Sequence, residues 1–392
     1  MTDTMTTESI AQLDREKQIP LYAKRDIALV RGEGAWLFDS EGNRYLDAMS
    51  NYGVAVLGHA HPRFTAAVTD QLGLLTTCHQ SFYNDARSAL LEEIGTIAPE
   101  GLGRAFLSNS GTEAIEAGIK FARAATGRTG IVAAKRAYHG RTMGALAATA
   151  DKKYRAPFEP FAMEATHVSF NDLEALESAI DETTALVILE PVQGEGGIHP
   201  ADPAWLQKAR ELATQHGALL MFDEVQSGFR TGAPFAGVAK GVVPDILATA
   251  KALANGMPIG LTLVTETISE AIPAGAHGST FGGNPLVSRG ATETLRILRE
   301  DDLYTRATDV GAYAKQQIEA IGSPKIRAVR GEGLMLGIEL KQKATPVLRA
   351  LQEHGVLALP AGTLVIRFLP PMIWEREHAD TLVEALSRAL EA

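Results

Sequence analysis

The 392-residue sequence is poor in several features, and each shortage excludes a class of protein. Its one cysteine, Cys78, cannot form an internal disulfide or supply a cysteine-based metal cluster. Basic residues are outnumbered, with 37 Lys and Arg against 47 Asp and Glu, and the net charge of −10 disfavours nucleic-acid binding. The single cysteine also favours a reducing compartment, so we expect a cytoplasmic protein.

Long apolar runs and targeting signals are missing as well. No stretch reaches the length of about 18 apolar residues that indicates a membrane span, and the polar, acidic start lacks the basic and apolar regions of a signal peptide. We therefore expect neither membrane insertion nor export. The sequence has no Walker A loop and no Gly-x-Ser-x-Gly elbow, and the glycines of 331–337 have the wrong spacing for a dinucleotide fingerprint. We interpret His59 and His61 as part of a packing loop, with no bound metal.

Short apolar runs alternate with amphipathic helical patterns through the middle of the chain. This alternation is typical of a parallel sheet covered by helices, and it predicts an α/β fold. We predict buried strands at 105–108, 130–134, 185–189, 218–222, 246–249 and 260–264. We predict helices at 112–125, 172–180 and 203–216.

Both ends of the chain have a different pattern. A hairpin is predicted at 35–47, further strands at 326–330, 334–340, 355–359 and 364–368, and a last helix from about 375. These segments indicate a smaller α+β domain built from both termini. We expect an N-terminal part of that domain at 1–55, a large ligand-binding domain at 56–280 and the C-terminal part at 281–392.

Three features in chain order suggest one kind of chemistry. Segment 108–113 follows a predicted strand and opens a helix, which suits either a phosphate site or ordinary helix capping. Asp223 ends a buried strand, where ligands bind in doubly wound sheets. Lys251 has apolar neighbours and could act as a nucleophilic amine, although a single lysine is usually a surface residue. An anion site, a carboxylate and an amine are together what pyridoxal phosphate requires.

The sequence resembles the class III, or ornithine-type, aminotransferases from about Val30 to Pro371. The resemblance is carried by segments 110–114, 139–142, 190–195, 223–226, 278–285 and 366–371, together with Lys251. It implies a pyridoxal-phosphate-dependent transaminase of fold type I, with a mostly parallel seven-stranded sheet and a smaller α+β domain. It also implies a homodimer with shared active sites.

The resemblance further implies roles for individual residues. Lys251 would carry pyridoxal 5'-phosphate, and Asp223 would pair with its ring nitrogen. The implied cofactor contacts also include Gly111, Thr112, Tyr138, Glu224, Val225, Gln226 and, from the neighbouring subunit, Thr280. The implied substrate contacts are Arg141, Glu195, Ser279 and Arg367. Both arginines would bind carboxylates, and Glu195 would pair with Arg367 when no carboxylate is present. Tyr138 stands where most family members have Phe.

Segments 126–128, 152–160, 323–331 and 361–371 are similar to a subgroup of lysine biosynthesis. In that subgroup the ω-amine or semialdehyde substrate is linked to an acidic amino-group carrier protein, and glutamate and 2-oxoglutarate are the other substrate pair. Acetylornithine aminotransferase of arginine biosynthesis is the near alternative, and a non-catalytic regulator that binds the cofactor is a remote one. Because the chain itself is acidic, docking an acidic carrier requires a local basic patch. The densest candidate is Lys152, Lys153 and Arg155, with Arg128, Lys135 and Arg136 as further members.

Overall fold

The computed structural model describes residues 6–391, so residues 1–5 of the polar start and residue 392 lie outside it. The strands in chain order are β1 (Leu29–Glu33), β2 (Trp36–Asp39), β3 (Arg44–Asp47), β4 (Arg104–Ser108), β5 (Gly130–Ala134), β6 (Ala165–Val168), β7 (Thr184–Leu189), β8 (Val192–Gln193), β9 (His199–Pro200), β10 (Leu219–Asp223), β11 (Ile246–Thr249), β12 (Gly260–Val264), β13 (Ile326–Glu332), β14 (Met335–Leu340), β15 (Val356–Leu357), β16 (Leu359–Ala361) and β17 (Val365–Phe368).

The α-helices span Thr7–Lys17, Pro62–Leu72, Asp85–Ile97, Gly111–Thr126, Met143–Ala148, Lys152–Arg155, Leu173–Ala179, Pro203–His216, Ala236–Ala239, Glu266–Ala271, Pro285–Glu300, Leu303–Ala320, Ala344–Glu353 and Arg376–Glu391. Short 3-10 helices occupy Ala156–Phe158 and Lys251–Ala254. Within residues 6–391, each helix is either too short or too polar to cross a bilayer.

The largest sheet has seven strands in the order β4-β12-β11-β10-β7-β5-β6. Strand β12 runs antiparallel to both neighbours, and the other pairs are parallel. Alternate residues of β7 pack on opposite faces: Val187 contacts the core beneath helix Pro203–His216, and Ile188 contacts the core beneath helix Gly111–Thr126. Because both faces are covered, the central strands are mostly apolar, with polar residues such as Asp223 and Thr249 at strand ends. The predicted mostly parallel seven-stranded sheet is confirmed.

The predicted elements of this sheet agree with the structure, with one omission. All six predicted strands are present, and helix Pro203–His216 begins after Asp202, whose carboxylate accepts the amide of Ala204 at 2.9 Å. Strand β6 was not predicted; it is an edge strand in which only Val168 is buried. A short edge strand lacks the continuous apolar run that marks the central strands.

Two smaller sheets contain the strands from the chain ends. One has the order β1-β2-β3-β15, in which the C-terminal strand β15 pairs parallel to the N-terminal β3, and the other is the antiparallel sheet β13-β14-β17-β16. The prediction of a single strand at 355–359 is wrong. The segment contains β15 of the first sheet and the start of β16 of the second, and the chain passes from one sheet to the other at Ala358. The domain boundaries at 55 and 280 stay predictions.

Candidate active site

A cavity of about 410 Å³ lies where β4, β7, β10 and β11 end. The carboxyl ends of parallel strands are the usual ligand-binding edge of such a sheet, because the loops that follow them converge there. Residues singled out in the sequence that line this cavity are Gly111, Thr112, Tyr138, Arg141, Glu195, Asp223, Val225, Gln226 and Lys251. The structure therefore brings together residues that are up to 140 positions apart in the sequence, from Gly111 to Lys251.

Lys251 follows β11 and opens onto the cavity. Its backbone has φ of +34°, a left-handed conformation that costs a non-glycine residue energy and is found mostly at functional sites. Desolvation lowers the pKa of the Lys251 amine to about 8, although the nearby Glu195 carboxylate opposes that effect. The uncharged fraction of this amine near neutral pH is therefore much larger than that of an ordinary lysine, which favours its use as a nucleophile or base.

Asp223 is held by two hydrogen bonds at the end of β10. One carboxylate oxygen lies 2.7 Å from Nδ1 of the buried His139, and the other accepts the amide of Val225 at 3.0 Å. The remaining ring nitrogen of His139 is buried and has no hydrogen-bond partner within residues 6–391. The pair presents a fixed, buried carboxylate to the cavity, suited to a cationic ring nitrogen.

Glu190 lies beside this pair and also lines the cavity. Its carboxylate accepts the amides of Tyr138 and Gly194, each at 3.1 Å, so it ties together the loops that follow β5 and β7. Burial raises the pKa of Glu190 above its usual range, with His139 opposing and Asp223 adding to the effect.

The start of helix Gly111–Thr126 lines the cavity and is the predicted anion cradle. Ser110 caps the helix by accepting the amide of Glu113 at 3.3 Å, while the amides of Gly111 and Thr112 have no hydrogen-bond acceptor within residues 6–391. A Cβ on Gly111 would lie 2.6 Å from Cγ1 of Val225, so only glycine allows this close approach. The predicted cap is therefore present at Ser110, while the next two amides leave room for an anion and the phosphate site stays a prediction.

Arg367, on β17, is buried at the edge of the cavity. Its Nη1 donates to Glu195 at 2.5 Å and to the side-chain oxygen of Gln226 at 2.8 Å. Burial alone would raise the pKa of Glu195, but the charge and hydrogen bond of Arg367, together with the Lys251 charge and the Gln226 hydrogen bond, outweigh it and the pKa is lowered. The charged pair occupies the place where the resemblance puts a substrate carboxylate.

Arg141 lies at the cavity with an exposed side chain. Its Nε donates to the hydroxyl of Tyr138 at 3.0 Å, and its guanidinium lies over the ring of Tyr154 at 4.1 Å. Within residues 6–391 it forms no ion pair. The two predicted carboxylate-binding arginines therefore differ. Arg367 already forms an ion pair with Glu195, whereas Arg141 has no acidic partner within residues 6–391.

Three predicted contacts lie elsewhere. The carboxylate of Glu224 is fully buried and turns away from the cavity, accepting the amide of Gly237 at 2.7 Å and the hydroxyl of Ser227, so its predicted place among the cofactor contacts is not supported by its side chain. Ser279 lies behind the cavity, bound to Asn109 at 3.0 Å. Thr280 is exposed and does not line this chain's cavity, so its contact with a partner subunit stays a prediction.

A left-handed turn at Ser50–Gly53 was missed by the sequence analysis. Its φ angles run from +38° at Ser50 to +84° at Gly53. Asp47 accepts the Ser50 amide at 2.7 Å, and the Ser50 hydroxyl donates to the carbonyl of Leu369 at 2.6 Å. The turn places Asn51 on the cavity and the ring of Tyr52 against Arg367, at 5.3 Å.

His139 and Glu190 were also missed as site residues, although both stand inside the segments that carry the family resemblance. No local pattern marks Asn51 or Tyr52. Nε2 of His59, which we interpret as a packing residue, lies 2.7 Å from the carboxylate of Asp47. The same carboxylate accepts the amide of Ser50 in the left-handed turn.

The proposed basic patch is smaller than the sequence suggests. Lys152 and Lys153 are exposed, but the Arg155 side chain is only 16% exposed, lies over Phe161 and pairs with Glu159. Arg128 does not belong to the patch. It precedes β5 and donates to the carbonyls of Thr184 and His216, at the opposite edge of the sheet from the residues that follow β5.

Comparison with known proteins gives a consistent result. Residues 21–390 match the family described as aminotransferase class-III. A LysW-aminoadipate semialdehyde transaminase of Deinococcus radiodurans is 46% identical over 374 residues, covering 94% of this chain and 87% of the relative. An acetylornithine aminotransferase of Methanothermobacter thermautotrophicus is 39% identical over 389 residues, covering 98% of this chain and 99% of the relative. The ornithine aminotransferase structure from Toxoplasma gondii, whose active site holds PLP at partial occupancy, has a TM-score of 0.94 at 30% identity and covers 99% of this chain and 95% of its own.

Proposed function

Because the chain belongs to the class III aminotransferases, we propose that it moves an amino group between glutamate or 2-oxoglutarate and the ω-position of an aminoadipate semialdehyde linked to an amino-group carrier protein. The chain is a pyridoxal-phosphate-dependent enzyme, and this cofactor supplies an electron sink that stabilises negative charge on the substrate carbon. The carrier-linked substrate is supported by the 46% identity to the Deinococcus radiodurans transaminase over 94% of this chain.

The cavity residues fit this cofactor. The two unpartnered amides at Gly111 and Thr112 suit a phosphate, and the Asp223 carboxylate suits a protonated ring nitrogen. Lys251 offers an amine with a lowered pKa, which suits attachment to a carbonyl carbon. We therefore assign the phosphate of the cofactor to the Gly111 and Thr112 amides, its ring nitrogen to Asp223 and its point of attachment to Lys251.

We assign the proton transfer to Nζ of Lys251. The free amine, with a pKa of about 8, can accept the proton from the substrate carbon that bears the amino group. It would then deliver that proton across the substrate nitrogen to the aldehyde-derived carbon of the bound cofactor, so that the amino group stays on the cofactor. His139 keeps the Asp223 carboxylate oriented, and Glu190 joins the two loops around it.

Two carboxylate sites explain how one cavity could serve two substrates. Glutamate has two carboxylates, so we propose that it binds Arg141 at one end and displaces Glu195 from Arg367 at the other. An ω-amine substrate has no carboxylate near the reacting amine, and the Glu195–Arg367 pair would stay closed. Bidentate binding explains the use of arginine at both sites.

We also propose a homodimer in the cytoplasm. The loop that contains Thr280 also contains the strongly exposed Phe281. A second loop exposes the side chains of Phe82 and Tyr83. Arg87 links the two loops by donating to the carbonyls of Phe82 and Gly283. Contiguous exposed apolar side chains mark interaction surfaces, and a second copy would cover these while bringing Thr280 to the site.

Acetylornithine is the second candidate substrate, supported by the Methanothermobacter relative that matches 98% of this chain. Both substrates have a blocked α-amine, so the cavity contacts described above suit either. We set aside the non-catalytic regulator, because the chain keeps Lys251, Asp223 and both arginines together.

Substrate choice is tested by comparing kcat/KM for carrier-linked lysine and for acetylornithine, with 2-oxoglutarate as acceptor. We expect the carrier-linked amine to have the higher value by at least about tenfold, because a protein-sized substrate gains contacts outside the cavity. A higher kcat/KM for free acetylornithine would contradict the proposed substrate and favour the alternative.

Carrier docking predicts a salt-dependent effect of the exposed lysines. Lys152→Ser combined with Lys153→Ser should raise KM for the carrier-linked substrate by roughly threefold to tenfold at low salt, because rim charges speed encounter with an acidic partner. The effect should fade as salt rises, since the screening length is about 8 Å at physiological ionic strength. Acetylornithine turnover should change much less than the carrier reaction and without salt dependence, because neither lysine lines the cavity.

The matched control replaces the exposed Lys341 and Lys343 with Ser, which removes the same charge from the C-terminal part of the chain. Equal effects of the two double variants, or an effect on the carrier reaction that salt does not alter, would show that Lys152 and Lys153 are not a docking site.

A further inference from the structure

We propose that the Tyr138 hydroxyl and the Tyr154 ring are positioning residues that hold Arg141 ready to bind a substrate carboxylate. The inference rests on the proposed substrate-binding role of Arg141 and adds the device that orients it. Neither tyrosine is assigned this task by the family resemblance, which places Tyr138 only on the cofactor ring.

The geometry surrounds the guanidinium with two aromatic side chains. Arg141 Nε donates to the Tyr138 hydroxyl at 3.0 Å, and the guanidinium carbon lies 4.1 Å from the Tyr154 ring centre and 5.6 Å from that of Tyr138. The two rings meet edge to face, with centres 5.6 Å apart and an angle of 77°. One hydrogen bond and one stacking contact therefore restrict the long side chain.

Arg141 needs such support because no carboxylate within residues 6–391 holds it. An exposed arginine has many rotamers, and binding a ligand must fix one of them. Arg367 has its orientation set by Glu195 and Gln226, whereas Arg141 has the two tyrosines. Because the Tyr138 contact uses Nε, both terminal nitrogens of Arg141 stay available for bidentate binding of a carboxylate.

The Tyr138 contact should persist over the working pH range. Burial raises the pKa of the Tyr138 hydroxyl, while Arg141 opposes that effect, so the group remains a neutral phenol that accepts the guanidinium N–H. Phenylalanine, the residue that most class III members have at this position, would keep the ring and remove only the hydroxyl. Tyr154 stands in the short helix Lys152–Arg155, which Asp151 caps.

The test measures carboxylate affinity in Tyr138→Phe and Tyr154→Leu holoenzymes. We use glutarate, an unreactive dicarboxylate, and determine its Kd by calorimetry. Each variant should bind glutarate about threefold to tenfold more weakly, since one hydrogen bond or one cation–aromatic contact is lost. KM for glutamate, which we propose binds Arg141, should rise by a similar factor with a smaller change in kcat, and the cofactor absorbance should keep its wild-type position.

Two further variants separate positioning from general destabilisation. Tyr313→Phe removes a tyrosine hydroxyl that donates to Asp380 far from the cavity, and glutarate affinity should not change. Tyr154→Phe keeps the ring and should recover most of the affinity that Tyr154→Leu loses. Wild-type glutarate affinity in both Tyr138→Phe and Tyr154→Leu would overturn the inference.

The outcome is distinguishable from failure of the proposed function. If the wild-type enzyme prefers acetylornithine to carrier-linked lysine, the proposed substrate is wrong, while weakened glutarate binding by Tyr138→Phe would still support the positioning role. If the carrier-linked substrate is preferred and glutarate binding is unchanged in both variants, only the positioning role is wrong.

Discussion

Replacing Lys251 with alanine is expected to reduce transamination by about 10³-fold or more. The variant loses the amine that the cofactor would be attached to and the base that moves the proton, and no other lysine lines the cavity of the described chain. The wild-type protein should be yellow, and borohydride should fix its cofactor irreversibly to residue 251. Single-turnover absorbance and mass spectrometry of the reduced protein measure the two effects.

The control for this loss is Lys341→Ala, which removes an exposed lysine outside the site. It should keep wild-type turnover and colour. Adding a small primary amine to Lys251→Ala should restore part of the activity, because the amine can enter the open cavity and serve as the base. A Lys251→Ala protein with turnover near the wild-type rate would remove this lysine from the mechanism.

Asp223 and Lys251 were predictable because their positions depend on local patterns. Asp223 ends the mostly buried β10 and Lys251 follows the fully buried β11, and parallel strands deliver the residues at their carboxyl ends to one edge of the sheet. The apolar runs of β10 and β11 identify those strands without knowledge of any distant contact. The same reasoning predicted the anion cradle at Gly111, whose strand and helix are adjacent in the sequence.

The left-handed turn at Ser50–Gly53 was not predictable, because its support comes from remote residues. Left-handed backbone costs a non-glycine residue about 1–2 kcal/mol, so local propensity argues against it. The hydrogen bond from Ser50 to the Leu369 carbonyl joins residues 319 positions apart. Tyr52 therefore reaches Arg367 through contacts that a sequence pattern does not contain.

The contacts of surface charges were not predictable from the sequence either. The sequence lists the cations of the basic patch but not their partners, and the structure gives partners to most of them, including an ion pair between Lys153 and Asp151 at 3.4 Å. Arg155 packs on Phe161, and Arg128 binds backbone carbonyls at the far edge of the sheet. Only Lys152 and Lys153 of the densest cluster remain exposed, which is why the docking test uses those two.

The Glu195–Arg367 pair leads to the second large effect. Arg367→Ala should slow the glutamate half-reaction by roughly 30-fold to 5,000-fold, because loss of one member of a buried charge pair costs about 2–5 kcal/mol. The ω-amine half-reaction should change much less, since that substrate places no carboxylate at Arg367. Single-turnover absorbance changes with each amino donor measure the two half-reactions separately.

A complication is that Arg367→Ala leaves the Glu195 carboxylate without its partner, and this penalty could slow both half-reactions. The double variant Arg367→Ala with Glu195→Ala removes the stranded charge, so it should recover the ω-amine half-reaction while the glutamate half-reaction stays slow. Glu195→Ala alone frees Arg367 and should tighten glutamate binding, because the substrate no longer has to displace an ion pair held at 2.5 Å. Equal losses in both half-reactions of the double variant would mean that Arg367 contributes to packing and does not select between the two substrates.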